Sequence, residues 1–150
     1  MTEIQLDRSE YPNIDTDFIE YSITTVLNKL GKGNTDITLK LTDNQEIMKL
    51  NQNYRGKAKA TDVLSFNQDF LNPENDRFYL GDIVISVNMA QQQAGYHNHS
   101  LNEECVLLAI HGVLHLLGYD HTDKKAKQEM WSKQEELFEF VKTSYQESCR

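Results

Sequence analysis

Residues 101–121 read L-N-E-E-C-V-L-L-A-I-H-G-V-L-H-L-L-G-Y-D-H, and this stretch decides how the rest of the chain is arranged. Ser100 and Glu103 form a capping box, which predicts that a helix begins at 101. Gly118 is expected to end it after 117, because glycine readily adopts the left-handed conformation that closes helices. The helix is apolar on most sides, which is typical of a helix buried in the centre of a domain.

This stretch contains three histidines in a span of eleven residues, at positions 111, 115 and 121. His111 and His115 are four residues apart, so their rings point within about 40° of each other, about one turn apart. Gly118 lets the chain fold back and bring His121 to the same place. Three histidine ligands leave one tetrahedral position for water, as in catalytic zinc sites. We therefore expect one zinc ion per chain, although imidazole also suits copper, nickel and iron.

The neighbouring candidates fit this metal site less well. Gly112 stands where a zinc peptidase of the H-E-x-x-H type carries its glutamate base, which argues against peptidase chemistry. Glu104 shares the helix face of His111 but lies about 10 Å away, so a structural salt bridge or hydrogen bond is expected. His97 and His99 are expected to have surface or capping roles. The remaining alternative is that all these histidines are separate core and surface residues.

Hydrophobic periodicity predicts the strands and helices in the rest of the chain. Strands are predicted over residues 2–7, 35–41, 63–66 and 80–87. Helices are predicted over residues 15–30, 42–53, 88–95 and 123–142. Asp15 can cap the first of them, and Thr42 with Gln45 forms a capping box at the start of the second. The polar residues 67–77 are predicted to form a loop. Strands and helices intermix, so we expect an α/β or α+β fold in one domain, residues 1–150, with one mixed sheet and the H-x3-H motif on a buried central helix.

Composition narrows the class of protein. No apolar run reaches the length of about 18 residues that a membrane span needs, and no signal peptide is visible at the N-terminus. Cys105 is expected in the core and Cys149 on a mobile tail, both unpaired, which favours a reducing cytoplasm. The net charge of −8 argues against a nucleic-acid partner. Local basic stretches oppose that average: Arg55, Lys57 and Lys59, and then Lys124, Lys125 and Lys127, each of which is alternatively an ordinary solvated face.

A second unusual stretch precedes the third predicted strand. Residues 54–66 read Y-R-G-K-A-K-A-T-D-V-L-S-F, and a loop with an arginine and lysines can grip phosphate. Together with L-G-D-I-V-I-S at 80–86 and H-G-V-L-H-L-L-G-Y-D-H at 111–121, it resembles the YbeY family of endoribonucleases. The resemblance runs in order along the whole chain. One departure is Asn67, where family members often have proline, and we expect it to alter only the local turn.

The resemblance implies a metal-dependent endoribonuclease that cleaves single-stranded RNA. It implies maturation of the 16S ribosomal RNA 3′ end and quality control of the small ribosomal subunit, which would be its partner in the cytoplasm. It assigns the metal to His111, His115 and His121, and a functional role to Arg55. Arg55, His111 and His115 are then the expected catalytic residues. Asp120 is a candidate for orienting a ligand, whereas Asp62 and Asp82 are expected to be structural.

Two other classes of protein stay in view. One is a non-enzymatic ribosome assembly factor with a structural metal, against which the free fourth coordination position argues. The other is a zinc peptidase, which lacks its glutamate at Gly112. No phosphate-binding or dinucleotide-binding glycine motif is present, so a nucleotide cofactor is not expected.

Overall fold

Helices cover both faces of one mixed β-sheet in the computed structural model, which describes residues 2–149. The elements within this range are β1 (Thr2–Gln5), α1 (Thr16–Lys29), β2 (Thr35–Thr42), α2 (Asn44–Arg55), β3 (Val63–Asn72), β4 (Arg77–Ser86), α3 (Val87–His97), α4 (Leu101–Leu116) and α5 (Lys124–Ser148). None of the helices in this range is long and apolar enough to cross a membrane.

The sheet has the strand order β1-β2-β4-β3. β1, β2 and β4 are parallel, and β3 pairs antiparallel with β4. Parallel neighbours need a crossover segment, and α1 supplies it between β1 and β2. β3 and β4 follow one another directly and form a hairpin. The predicted α+β fold with one mixed sheet is therefore confirmed.

Strand alternation divides the apolar residues between the two faces of the sheet. On β4, Ile83 and Ile85 join the main core, where α1, α4 and α5 also bury their apolar sides. Val84 points to the other face and packs with Ile47 of α2 and Leu64 of β3 in a smaller cluster. α4 buries most of its residues, Cys105 included, as the sequence predicted. This burial fixes the helix that carries the histidine pair.

Several helices begin or end at residues other than the predicted ones. The capping residue of α2 is Asp43, whose side chain accepts from the backbone N–H of Glu46, so the predicted Thr42–Gln45 box is off by one residue. The hydroxyl of Thr42 instead donates to the carboxylate of Glu46. α5 continues to Ser148 rather than 142, and Cys149 caps it, so this cysteine belongs to a helix end and not to a free tail.

The predicted loop over 67–77 is wrong. β3 extends to Asn72 and β4 begins at Arg77, so most of this segment is a hairpin. The strand register shifts between Asn67 and Phe70, where Asp69 has a φ of 50°. This irregularity and the exposure of the outer part of β3 remove the alternation of apolar and polar residues on which the prediction relied.

Candidate metal centre

The end of α4 turns sharply and returns the chain to the helix. The N–H of Gly118 donates to the carbonyl of His115, and the N–H of Tyr119 donates to the carbonyl of Leu114, each at 3.0 Å. Gly118 has a φ of 101°. This is the Schellman pattern, which satisfies the last helical carbonyls and reverses the chain. His121 thereby comes back alongside the last turns of α4.

The structure brings the three predicted ligands together. Their potential ligating nitrogens all lie within 4.8 Å of one another. The Nε2 atoms of His115 and His121 are 3.1 Å apart. Zn–N bonds of 2.0–2.1 Å in a tetrahedral site imply nitrogen separations of about 3.3 Å, so this spacing suits one ion. His111 and His115 are half-buried and His121 is exposed, which leaves the site open on one side.

Electrostatics favour the neutral form of the two helical imidazoles. The pKa of His115 is lowered to about 4, mainly by burial, then by the nearby His111 and His121, and to a smaller extent by the charge of Arg55. Burial is also the largest cause that lowers the pKa of His111. Neutral imidazole is the form that binds metal, so these rings are ready ligands at neutral pH. The donor set therefore fits a divalent transition metal.

A residue on α5 orients His111. Nδ1 of His111 lies 2.7 Å from Oε1 of Gln134, an acceptor, so Nδ1 carries the proton and Nε2 keeps its lone pair. Asp120 acts more locally, because its carboxylate accepts from the backbone N–H of His121. Sequence reasoning missed Gln134. A glutamine 23 residues after its partner carries no pattern that could have indicated the contact.

Close packing holds α4 against the sheet at the site. A Cβ placed on Gly112 would lie 2.8 Å from Cγ2 of Ile83, so the helix approaches β4 to a distance that only glycine allows. Ser65 donates to the carbonyl of Gly112 at 3.3 Å. Asn67 donates to the carbonyl of Leu116 at 2.9 Å, next to His115. Asn67 thus anchors the helix that carries the ligands, which is more than the local effect expected from the sequence.

Arg55 lies at the end of α2, not in a loop as predicted. It is the last residue of that helix, and Gly56 follows with a φ of 70°. Its side chain is exposed, and its charge reaches His115, whose pKa it lowers. The five lysines that the sequence singled out are also exposed: Lys57, Lys59, Lys124, Lys125 and Lys127. Asp62 accepts a hydrogen bond from the side chain of Gln93 in α3, and Asp82 accepts one from the hydroxyl of Tyr79 in the same strand.

The remaining histidines form a second cluster: His97 is exposed at the surface as predicted, but both rings also contact Glu104, which the sequence did not predict. Nδ1 of His97 and Nδ1 of His99 lie 2.9 and 3.1 Å from the same Oε1 of Glu104. The predicted structural hydrogen bond of Glu104 is thus present. Both clusters border one cavity of 660 Å³, which His97, His99, Glu104 and His111 help to line. Trp131, 55% exposed, lines the same cavity.

Comparison with known proteins agrees with this geometry. The family model described as Endoribonuclease YbeY matches residues 3–142. Endoribonuclease YbeY of Persephonella marina is 40% identical over 134 residues, which cover 89% of this chain and 88% of that protein. Endoribonuclease YbeY of Halalkalibacterium halodurans is 34% identical over 148 residues, covering 89% and 93%.

A solved structure shares the fold. The solution structure of TM1509 from Thermotoga maritima superposes with a TM-score of 0.66 at 25% identity, covering 99% of this chain and 93% of that one. The family resemblance predicted from residues 54–66, 80–86 and 111–121 is confirmed, and so is the prediction of an enzyme. The chain belongs to the YbeY family of endoribonucleases, which are hydrolytic nucleases.

Proposed function

We propose that this chain is a metal-dependent endoribonuclease that hydrolyses phosphodiester bonds in single-stranded RNA. The observation that carries the proposal is the convergence of three imidazoles, two of them with lowered pKa, at an open site. Three protein ligands leave one tetrahedral position for water or a phosphate oxygen. Zn²⁺ is the metal we expect at this site, and another divalent transition metal would fit the same donors.

The roles of the residues follow from their chemistry. His111, His115 and His121 would hold the metal, and Gln134 keeps Nε2 of His111 available for it. When bound, the metal supplies a Lewis acid that lowers the pKa of water toward about 7 or polarises a phosphate oxygen. Arg55 stabilises the negative charge that develops on the phosphate, because its guanidinium is always charged and can donate two parallel hydrogen bonds.

The surroundings suit a single RNA strand. Exposed lysines near Arg55 and at the start of α5 can pair with phosphates despite the net charge of −8, because binding depends on local potential. Exposed aromatic rings supply stacking surfaces: Tyr54 next to Arg55, and Tyr96 and Trp131 on the cavity. Bases of a single strand are free to stack on such rings, whereas paired bases in a duplex are not. This preference supports a single-stranded substrate.

The biological substrate that we propose is ribosomal RNA. Action at the 3′ end of 16S ribosomal RNA and on the small ribosomal subunit is what the resemblance of residues 54–66, 80–86 and 111–121 implies, and we propose it for this chain. A cytoplasmic location agrees with the two free cysteines, Cys105 and Cys149. Of the alternatives, the assembly factor with a structural metal would need no open coordination position. A zinc peptidase would need an acid at position 112, where the sheet leaves no space for a side chain.

One experiment separates the enzyme from the assembly factor. Cleavage of a defined single-stranded RNA, and of its duplex, is measured under single-turnover conditions with the wild type and His115→Ala at known zinc content. We expect the wild type to cut the single strand in preference to the duplex, and His115→Ala to lose both zinc from this site and cleavage. Equal cleavage by the two proteins would identify a contaminating nuclease, and no cleavage by zinc-loaded wild type would favour the assembly factor.

A further inference from the structure

The second cluster, His97, His99 and Glu104, lies where α3 passes into α4. His97 is the last residue of α3, Asn98 follows in the left-handed conformation with a φ of 56°, and His99 comes next. Glu104 stands in the first turn of α4. The turn at Asn98 places both histidine rings against one carboxylate, with ring centroids 5.6 Å apart. Three potential ligands thus come from eight consecutive residues.

One carboxylate oxygen of Glu104 is buried without a hydrogen-bond partner among residues 2–149. The residue is 1% exposed, so its carboxylate is buried. Both histidines contact Oε1, while Oε2 has no hydrogen-bond partner among residues 2–149. A buried charged oxygen without a partner is strongly unfavourable, since it has lost its water and gained nothing in return. A cation in contact with this carboxylate would remove that deficit.

The spacing of the three groups suits a metal ion. We propose that His97, His99 and Glu104 form a second divalent metal site, with zinc as its first candidate. The two Nδ1–Oε1 distances of 2.9 and 3.1 Å are near the separation of about 3.3 Å between ligands of tetrahedral zinc. All three potential ligand atoms lie within 4.8 Å of one another, so modest side-chain rotation completes the site. Two histidines and one glutamate are a ligand set that zinc accepts.

The cluster is both accessible and supported. The side chain of His97 is 49% exposed, and all three residues line the 660 Å³ cavity, so an ion can enter from solvent. The ring of His99 packs edge-on against Phe138 of α5 at 5.1 Å, so a residue outside the cluster supports this ring. The site shares no ligand with the three-histidine centre. It is therefore independent of the nuclease proposal, and zinc bound here would tie the end of α3 to α4.

The test measures metal binding and not RNA cleavage. Zinc is titrated into purified His115→Ala, in competition with a chromophoric chelator, so that only the second cluster can bind strongly. We expect one equivalent of zinc in this background. Adding His97→Ala or Glu104→Gln should abolish it, and Co²⁺ in place of zinc should give an absorption spectrum that disappears in the same variants.

The controls keep the result interpretable. Tyr96→Ala in the His115→Ala background removes a neighbouring exposed side chain of the same cavity that lies outside the proposed ligand set, and this variant should still bind one equivalent of zinc. His97 is half-exposed, so its alanine variant should fold, which circular dichroism checks. The proposal is overturned if folded His115→Ala binds no stoichiometric zinc, or if binding survives both His97→Ala and Glu104→Gln. Either result would mean that the cluster is only a hydrogen-bonded one, in which the ring N–H groups of the two histidines donate to Glu104.

Discussion

Oε1 of Gln134 lies 2.7 Å from Nδ1 of His111 and links α5 to the face of α4 that carries His111 and His115. The contact does more than join two helices. It fixes which nitrogen of His111 carries the proton, and therefore which nitrogen can face a metal. A residue far from the histidine motif thus helps to set the chemistry of the site.

Gln134→Leu should weaken zinc binding at the three-histidine centre while the protein stays folded. Partners of this kind typically contribute about 10–100-fold in metal affinity, because they orient the ring and raise its basicity. The affinity is measured by chelator competition, in the Glu104→Gln background so that the second cluster does not contribute. Gln128→Leu, an equivalent change at an exposed position of α5, is the matched control. Equal affinities for the two variants would contradict the role of Gln134.

Arg55→Ala should fold, keep its zinc and lose cleavage. Arg55 is exposed at the end of α2, so no core depends on it. A donor aimed at developing charge is worth about 3–4 kcal/mol, or about 10²–10³ in rate. Single-turnover cleavage at saturating RNA measures this loss. Lys57→Ala removes a nearby exposed charge and should mainly weaken binding. If the defect of Arg55→Ala vanishes at saturating RNA, Arg55 only helps to hold the substrate.

Gly112→Ala should destabilise the fold although alanine favours helices. The added Cβ would lie 2.8 Å from Cγ2 of Ile83, and overpacking of this kind costs about 1–3 kcal/mol. Gly95→Ala in α3 is the control, because its Cβ meets nothing within 4 Å, and it should be neutral or slightly stabilising. Urea denaturation gives the free energies of unfolding.

A second variant tests whether the side chain of Ile83 causes the destabilisation by Gly112→Ala. In the Ile83→Ala background the space opposite Gly112 opens, so Gly112→Ala should destabilise much less than it does in the wild type. This difference is the coupling free energy of a double-mutant cycle. The interpretation is wrong if Gly112→Ala has the same effect in both backgrounds.

The two cysteines should differ in reactivity. Burial, with a smaller effect of the charge on Glu104, raises the pKa of Cys105 to about 12, so its thiol stays protonated at neutral pH. Cys149 is exposed at the end of α5. Native thiol titration at pH 8 should therefore modify Cys149 quickly and Cys105 only on unfolding. Rapid modification of Cys105 in folded protein would show that α4 is less well packed than described.

How far the sequence predicted these features depended on the range of the interactions. The convergence of His111, His115 and His121 was predictable because their geometry is set within one helix and one turn. Gln134 was not, because its contact depends on how α5 packs across α4. The His97–His99–Glu104 cluster was hidden by the left-handed turn at Asn98, since helical spacing does not describe residues on either side of such a turn. The outer hairpin was missed because its strands are exposed and irregular.

The close approach of Gly112 to Ile83 also limits which catalytic residues this helix can carry. Zinc peptidases of the H-E-x-x-H type place their glutamate directly after the first histidine of the helix. In this protein that position faces the central strand, and any side chain there enters space that Ile83 already fills. A single substitution therefore cannot convert the site to peptidase chemistry. Evolution or design would first have to make room, either by shortening the side chain of Ile83 or by moving the helix, and with it the histidines, away from the sheet.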